Sequence, residues 1–140
     1  RSACVTGVQT CALPIWEAPA GIFSHNLIIL DSGGGNPYAQ RIRNRLWMEC
    51  GEGGVVCQEQ TLTGEYIAMQ VVPHPYDDRR SVLYVATNSE GLLGRNLFTR
   101  RVVHPYYLNG LHPYWNNVAL LHIRGAFYRI YEAGGPLEQI

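Results

Sequence analysis

Two spacings of apolar residues alternate along the chain, and they predict different elements. Asn26–Leu30 (NLIIL) is a short apolar run ending at Asp31, the pattern of a buried strand. Ser32-Gly33-Gly34-Gly35-Asn36-Pro37 then marks a turn that hands over to a helix, since Asn36 suits the N-cap and Pro37 the first helical position. Tyr38, Ala39, Ile42 and Leu46 recur every three or four residues, with Gln40, Arg41, Arg43, Asn44 and Arg45 on the other faces, which predicts an amphipathic helix ending before Gly51. Val55–Gln60 and Glu65–Val72 read as strands. The prolines of Pro73-His74-Pro75-Tyr76-Asp77-Asp78 force a turn, and Ser81–Ala86 (SVLYVA) is a continuous apolar run of the buried-sheet kind. Ser89 caps a second predicted helix through about Arg101, with Leu92, Leu93 and Leu97 inward and Arg95, Arg100 and Arg101 where the helix dipole favours cations. After a proline- and aromatic-rich stretch, His104–Asn117, Val118–Ile123 and Ala126–Tyr131 read as a hairpin turning at Arg124-Gly125.

The order β-α-β-β-β-α-β-β predicts an α/β fold, a two- or three-layer sandwich with a mixed, mostly parallel sheet and two main helices. Both strand-to-helix turns then open on one edge. Ligands of open α/β sheets gather at the carboxyl ends of the strands, so residues 31–36 and 87–90 are where a site is expected.

Composition narrows the function classes. The 140 residues amount to one domain, and 46% hydrophobic with 16% charged residues is a globular balance. Eleven arginines offset eleven acidic residues and no lysine occurs, so zero net charge gives no electrostatic case for nucleic acid or an anionic membrane as partner. No apolar run reaches the roughly 18 residues that would span a bilayer.

The N-terminal stretch stands apart. Val5–Ile15 (VTGVQTCALPI) resembles the conceptual translation of a common sequencing adaptor, which makes residues 1–15 a non-native leader. Residues 16–140 are then expected to be a single α/β domain, an N-terminally truncated fragment of a larger protein. Cys4 and Cys11 leave the count on that reading. Cys50 and Cys57 bracket CGEGGVVC, which could close a small disulfide loop in an oxidising compartment or hold two reduced thiols. Two cysteines alone make no zinc site.

Four groups of residues could carry chemistry. Gly33, Gly34, Gly35 and Asn36 precede a predicted helix, where exposed N–H groups could hold an anion, or the glycines serve the turn alone. The spacing fits neither GxGxxG nor a P-loop, so nucleotide binding is disfavoured. Ser32, Asn88 and His112 follow the order of the blocks in SGNH (GDSL-like) ester hydrolases, which they resemble. In that reading Ser32 attacks an acyl carbon, His112 takes its proton and Asn88 stabilises the oxyanion. The pattern departs from the family: Leu30-Asp31-Ser32-Gly33 replaces Gly-Asp-Ser-Leu, Ala86-Thr87-Asn88-Ser89 replaces Gly-x-Asn-Asp, and Asn109 stands where the triad's carboxylate belongs. A GxSxG nucleophile elbow is also missing around Ser32, where Leu30 occupies the first glycine position. His-Pro-Tyr occurs three times, at His74, His104 and His112, and reads as rigid loop punctuation, so neither metal nor cofactor is assigned. Tyr114 and Trp115, within a dense run of aromatics, could stack on a sugar or other polymer, or pack under a long loop.

Asn26–Gly134 resembles a C-terminal module of large secreted bacterial hydrolases of the prolyl-oligopeptidase or esterase type. The resemblance rests on the NLIIL strand, the Gly/Asn loop, Arg41–Leu46, the strand ending in Val72-Pro73-His74-Pro75, and SVLYVATNS. It implies a non-catalytic accessory domain, secreted or periplasmic, packed on an upstream catalytic domain of the same polypeptide. Two alternatives accompany it: an SGNH-like ester hydrolase fragment using Ser32 and His112, and a glycan-binding module using Tyr114 and Trp115. The expected ligands are accordingly an ester or a polysaccharide.

Overall fold

The computed structural model describes residues 4–6, 21–93, 119–130 and 134–139. Its strands are β1 (Cys4–Thr6), β2 (Leu27–Ser32), β3 (Glu49–Cys50), β4 (Gly54–Cys57), β5 (Gln60–Thr63), β6 (Tyr66–Pro73), β7 (Ser81–Thr87), β8 (Ala119–Ile123), β9 (Ala126–Ile130) and β10 (Glu138–Gln139). Seven of them form one sheet in the order β1-β2-β7-β6-β8-β9-β10, and β3-β4-β5 form a small second sheet.

The architecture is mostly β, which corrects the expected α/β sandwich with two main helices. Among the described residues only β1/β2 and β2/β7 pair in parallel and every other pairing in the large sheet is antiparallel, so that sheet is mixed but not mostly parallel. The predicted helix after Asn36 is two successive 3-10 turns, Pro37–Arg41 and Arg43–Arg45. Asn36 does cap the first, its side-chain oxygen accepting the Tyr38 N–H at 2.9 Å. A tertiary anchor explains why the turn stays tight. The Trp47 and Met48 N–H groups both donate to the side chain of Gln70 on β6, so a fixed length of chain must reach from the sheet edge to that anchor. A 3-10 turn advances about 2.0 Å per residue against 1.5 Å for an α-helix, and so covers more of that span. The buried pair Ala39 and Ile42, three residues apart, fits the 3-10 period. Of the second predicted helix, α1 (Glu90–Leu93) lies within the described residues.

The predicted strand Val55–Gln60 is instead a hairpin, β4 turning into β5. This meander and the 3-10 segment take the layer that helices were expected to fill. They cover one face of the large sheet, where Leu27, Ile29, Val72, Val82, Tyr84, Ala86, Leu121 and Ile130 join Ile42, Met48, Val55 and Cys57 in one core. The opposite face carries a smaller cluster of Ile67, Leu120 and Phe127 with Leu92 of α1. The β8/β9 hairpin turns at Arg124-Gly125 as expected, both residues having positive φ as a type I′ turn requires. Cys4–Thr6 of the supposed leader runs parallel to β2 at the edge of the sheet, not within it. Among the described residues no helix is long and apolar enough to cross a membrane.

Candidate functional site

Parallel pairing of β2 with β7, ending at Ser32 opposite Thr87, brings the two loops expected to bear a site onto one rim. The Gly33 N–H donates to the Thr87 carbonyl at 2.7 Å and ties the loops together. Gly33 and Gly34 have φ of +66° and +85°, so these positions require glycine to turn the chain.

Period-2 alternation on β2 places Asp31 on the same buried face as Leu27 and Ile29. A carboxylate there needs partners. Its Oδ1 accepts the Asn36 N–H at 2.8 Å, and its Oδ2 accepts the Tyr84 hydroxyl in a short hydrogen bond. Asn36 in turn donates from Nδ2 to the Leu30 carbonyl at 2.9 Å, so the glycine loop is closed from both ends. Burial and the Asp31 carboxylate push the Tyr84 phenol well above its ordinary range, so it remains a donor.

A cavity of about 280 Å³ opens beside this pair, with Asp31, Tyr84, Gly34, Cys50, Arg43 and Glu49 among its lining residues. Asp31 and Tyr84 offer further oxygen lone pairs to a ligand, and Arg43 and Glu49 add one charge of each sign. Cys50 contributes a protonated thiol. Burial first, then the Asp31 carboxylate, pushes its pKa up to about 12, which denies it nucleophilic character at neutral pH. Cys50 and Cys57 are both free, so of the two alternatives for CGEGGVVC the structure holds the reduced thiols. In the folded chain, iodoacetamide at pH 8 should therefore label Cys50 about 100-fold or more slowly than in urea, as peptide mapping would measure; equal rates would refute the buried, protonated thiol.

The sequence-predicted site residues divide into three groups. Ser32 is exposed on the rim. Asn88 follows Thr87 on the same rim, but its side chain is a strut. Its Nδ2 donates to the carbonyls of Glu52 at 3.0 Å and Gly64 at 2.8 Å, and its Oδ1 accepts the Tyr66 N–H at 2.8 Å. Both amide protons are thus spent within the fold, and neither points to an oxyanion. Gly33, Gly34, Gly35 and Asn36 form the loop, and only Gly34 of the four lines the cavity. His112, Tyr114 and Trp115 lie outside the described residues. Sequence reasoning overlooked Tyr84, Cys50, Arg43 and Glu49. The one available signal was Asp31 itself, a carboxylate at a position where alternation calls for an apolar side chain.

Of the three His-Pro-Tyr segments, only His74-Pro75-Tyr76 is described. The His74 Nδ1 accepts the N–H groups of Tyr76 and Asp77, both at 3.1 Å, which occupies that nitrogen. Phe23 and Tyr76 stand edge-on to the imidazole. Asp77 is held at a pKa of about 2 by the Arg79 side chain, then by the Arg79 N–H, and pairs with Arg79 and Arg80. Burial holds the His74 pKa below its ordinary value. The unfolded chain therefore takes up a proton, as pH falls through about 6.5, that the native state refuses, so acid costs stability. The urea midpoint should drop between pH 7.5 and 5.5, and His74→Asn should flatten that drop; an unchanged slope would contradict the assignment. His122, whose pKa burial also lowers, acts with the same sign.

No protein-family model, curated protein sequence or solved structure matches the chain.

Proposed function

We propose that the chain is a non-catalytic accessory domain of a larger secreted hydrolase, using the rim cavity to receive a small donor-bearing group of a substrate or partner domain. The observation carrying this reading is the division of labour on the rim. Asn88 and Asn36 spend their amide groups on backbone partners, while Asp31 and Tyr84, whose side chains carry acceptor oxygens, line the cavity beside them. Hydroxyl or ammonium groups are the chemistry those acceptors would recognise. The ester-hydrolase alternative asks the same Asn88 protons to serve an oxyanion, which their present bonds oppose.

The test is an amide-shift titration of the whole chain with small polyols and primary amines. Saturable shifts confined to Gly34, Gly51 and Gly54 around the cavity, abolished in Arg43→Glu or Glu49→Arg but with the fold intact, support the proposal. Absence of saturable shifts there across both ligand classes rejects it.

A further inference from the structure

A second cavity, of about 360 Å³, lies on the other side of Leu46, with Arg45, Trp47, Cys57, Gln58, Pro73 and Ile130 among its lining residues. Its chemistry is the reverse of the first. Among the described residues no Asp or Glu lines it, whereas Asp31 and Glu49 both line the rim cavity. The Arg45 guanidinium forms no hydrogen bond or ion pair among the described residues, and among them it is the one charged group at this wall.

Two features fix this wall in place. Among the described residues β6 pairs with β8 as far as Gln70 opposite Ala119. One residue beyond, the Val71 carbonyl accepts the Trp47 indole N–H at 3.3 Å, which orients the ring. On the far side Gln58 adopts φ of +54°, a strained conformation for a residue with a side chain. Its Nε2 donates to the Gly134 and Gly135 carbonyls, each at 2.9 Å. Both amide protons are consumed, and Oε1 remains as an acceptor. Gln58 is the first residue of the two-residue β4/β5 turn, where a hairpin calls for positive φ.

We infer that this second cavity binds a small aromatic carboxylate. The ring would lie among the indole of Trp47, Pro73 and Ile130, a setting that favours a flat apolar body. The carboxylate would pair with Arg45, whose planar fork matches its two oxygens. The guanidinium of Arg45 at the wall favours an anion over a cation. This site stands apart from the rim cavity and does not depend on the function proposed for it.

Phenylacetate and its neutral counterpart phenylacetamide separate the two parts of the claim. In calorimetric and indole N–H shift titrations of the whole chain, phenylacetate should saturate the Trp47 signal, and phenylacetamide should bind about tenfold or more weakly. Arg45→Gln, an exposed substitution, should cost phenylacetate about tenfold in affinity and leave phenylacetamide unchanged, while Arg43→Gln at the rim cavity should leave both unchanged. Equal affinities for the two compounds, indifference of phenylacetate to Arg45→Gln, or no saturable shift at Trp47 would each overturn the inference.

Discussion

Gln70→Leu should lower the stability of the chain by about 3 kcal/mol or more, the largest loss expected of any near-isosteric change in the molecule. Gln70 is fully buried in the middle of β6. Its Oε1 accepts the Trp47 N–H at 2.7 Å and the Met48 N–H at 2.9 Å, and its Nε2 donates to the Met48 carbonyl at 3.0 Å. Leucine fills the volume but makes none of these bonds. Two N–H groups and one carbonyl are then left without partners, and a buried unsatisfied group costs about 1–3 kcal/mol. The crossing segment loses its anchor to the large sheet, and with it the placement of Trp47 and Cys50 in the two cavity walls. Urea unfolding followed by far-UV circular dichroism measures the loss; a midpoint within error of the wild type would mean that the anchor is dispensable.

Gly54→Ala should be nearly as damaging, at about 2–4 kcal/mol. Gly54 pairs with Thr63 across β4 and β5. A Cβ at this position would stand 2.1 Å from the Leu62 carbonyl oxygen and 2.9 Å from the Thr63 Cα. Both are backbone atoms, so no side chain can swing aside and the strands themselves must separate. Gly54 also lines the rim cavity, so the distortion should reach the candidate site. By contrast Gly53→Ala meets nothing within 4 Å and should be nearly silent. Comparable midpoints for the two alanine variants would show that the close approach of β4 to β5 is not maintained in solution.

The strands were legible wherever alternation or an unbroken apolar run decided them locally. β2, β6, β7 and the β8/β9 hairpin match the expected elements within one or two residues. What escaped was decided by distant partners. Ala39 and Ile42 satisfy an α-helical and a 3-10 pattern equally, and the side chain that settles the matter, Gln70, lies far along the chain. The β4/β5 turn has no glycine, proline, asparagine or aspartate to announce it. Gln58 holds its left-handed conformation there through bonds to Gly134 and Gly135. These two misreadings together turned a 3-10 segment into a supposed helix and a β hairpin into a single strand, and contributed to reading a mostly β molecule as an α/β one.

The site divides in the same way. A shared rim for the two loops was expected from a mostly parallel sheet; the sheet is not that, yet the parallel pairing of β2 with β7 still brings the loops together. The glycine loop was visible as a loop, and Asn36 as its cap. The Tyr84 hydroxyl on Asp31 was not visible, because the two residues meet only through strand pairing between separate segments. Asn88 was picked for a polar group that could serve chemistry, and its actual partners come from three other places in the chain.

The proposed function makes the rim a place of attachment and not of turnover. Hydrolysis of p-nitrophenyl acetate by the whole chain, compared with Ser32→Ala at equal concentration, addresses that point directly. The two proteins should release p-nitrophenol at the same rate, no faster than an unrelated protein of similar size; a burst or steady rate that vanishes with Ser32 would contradict the account.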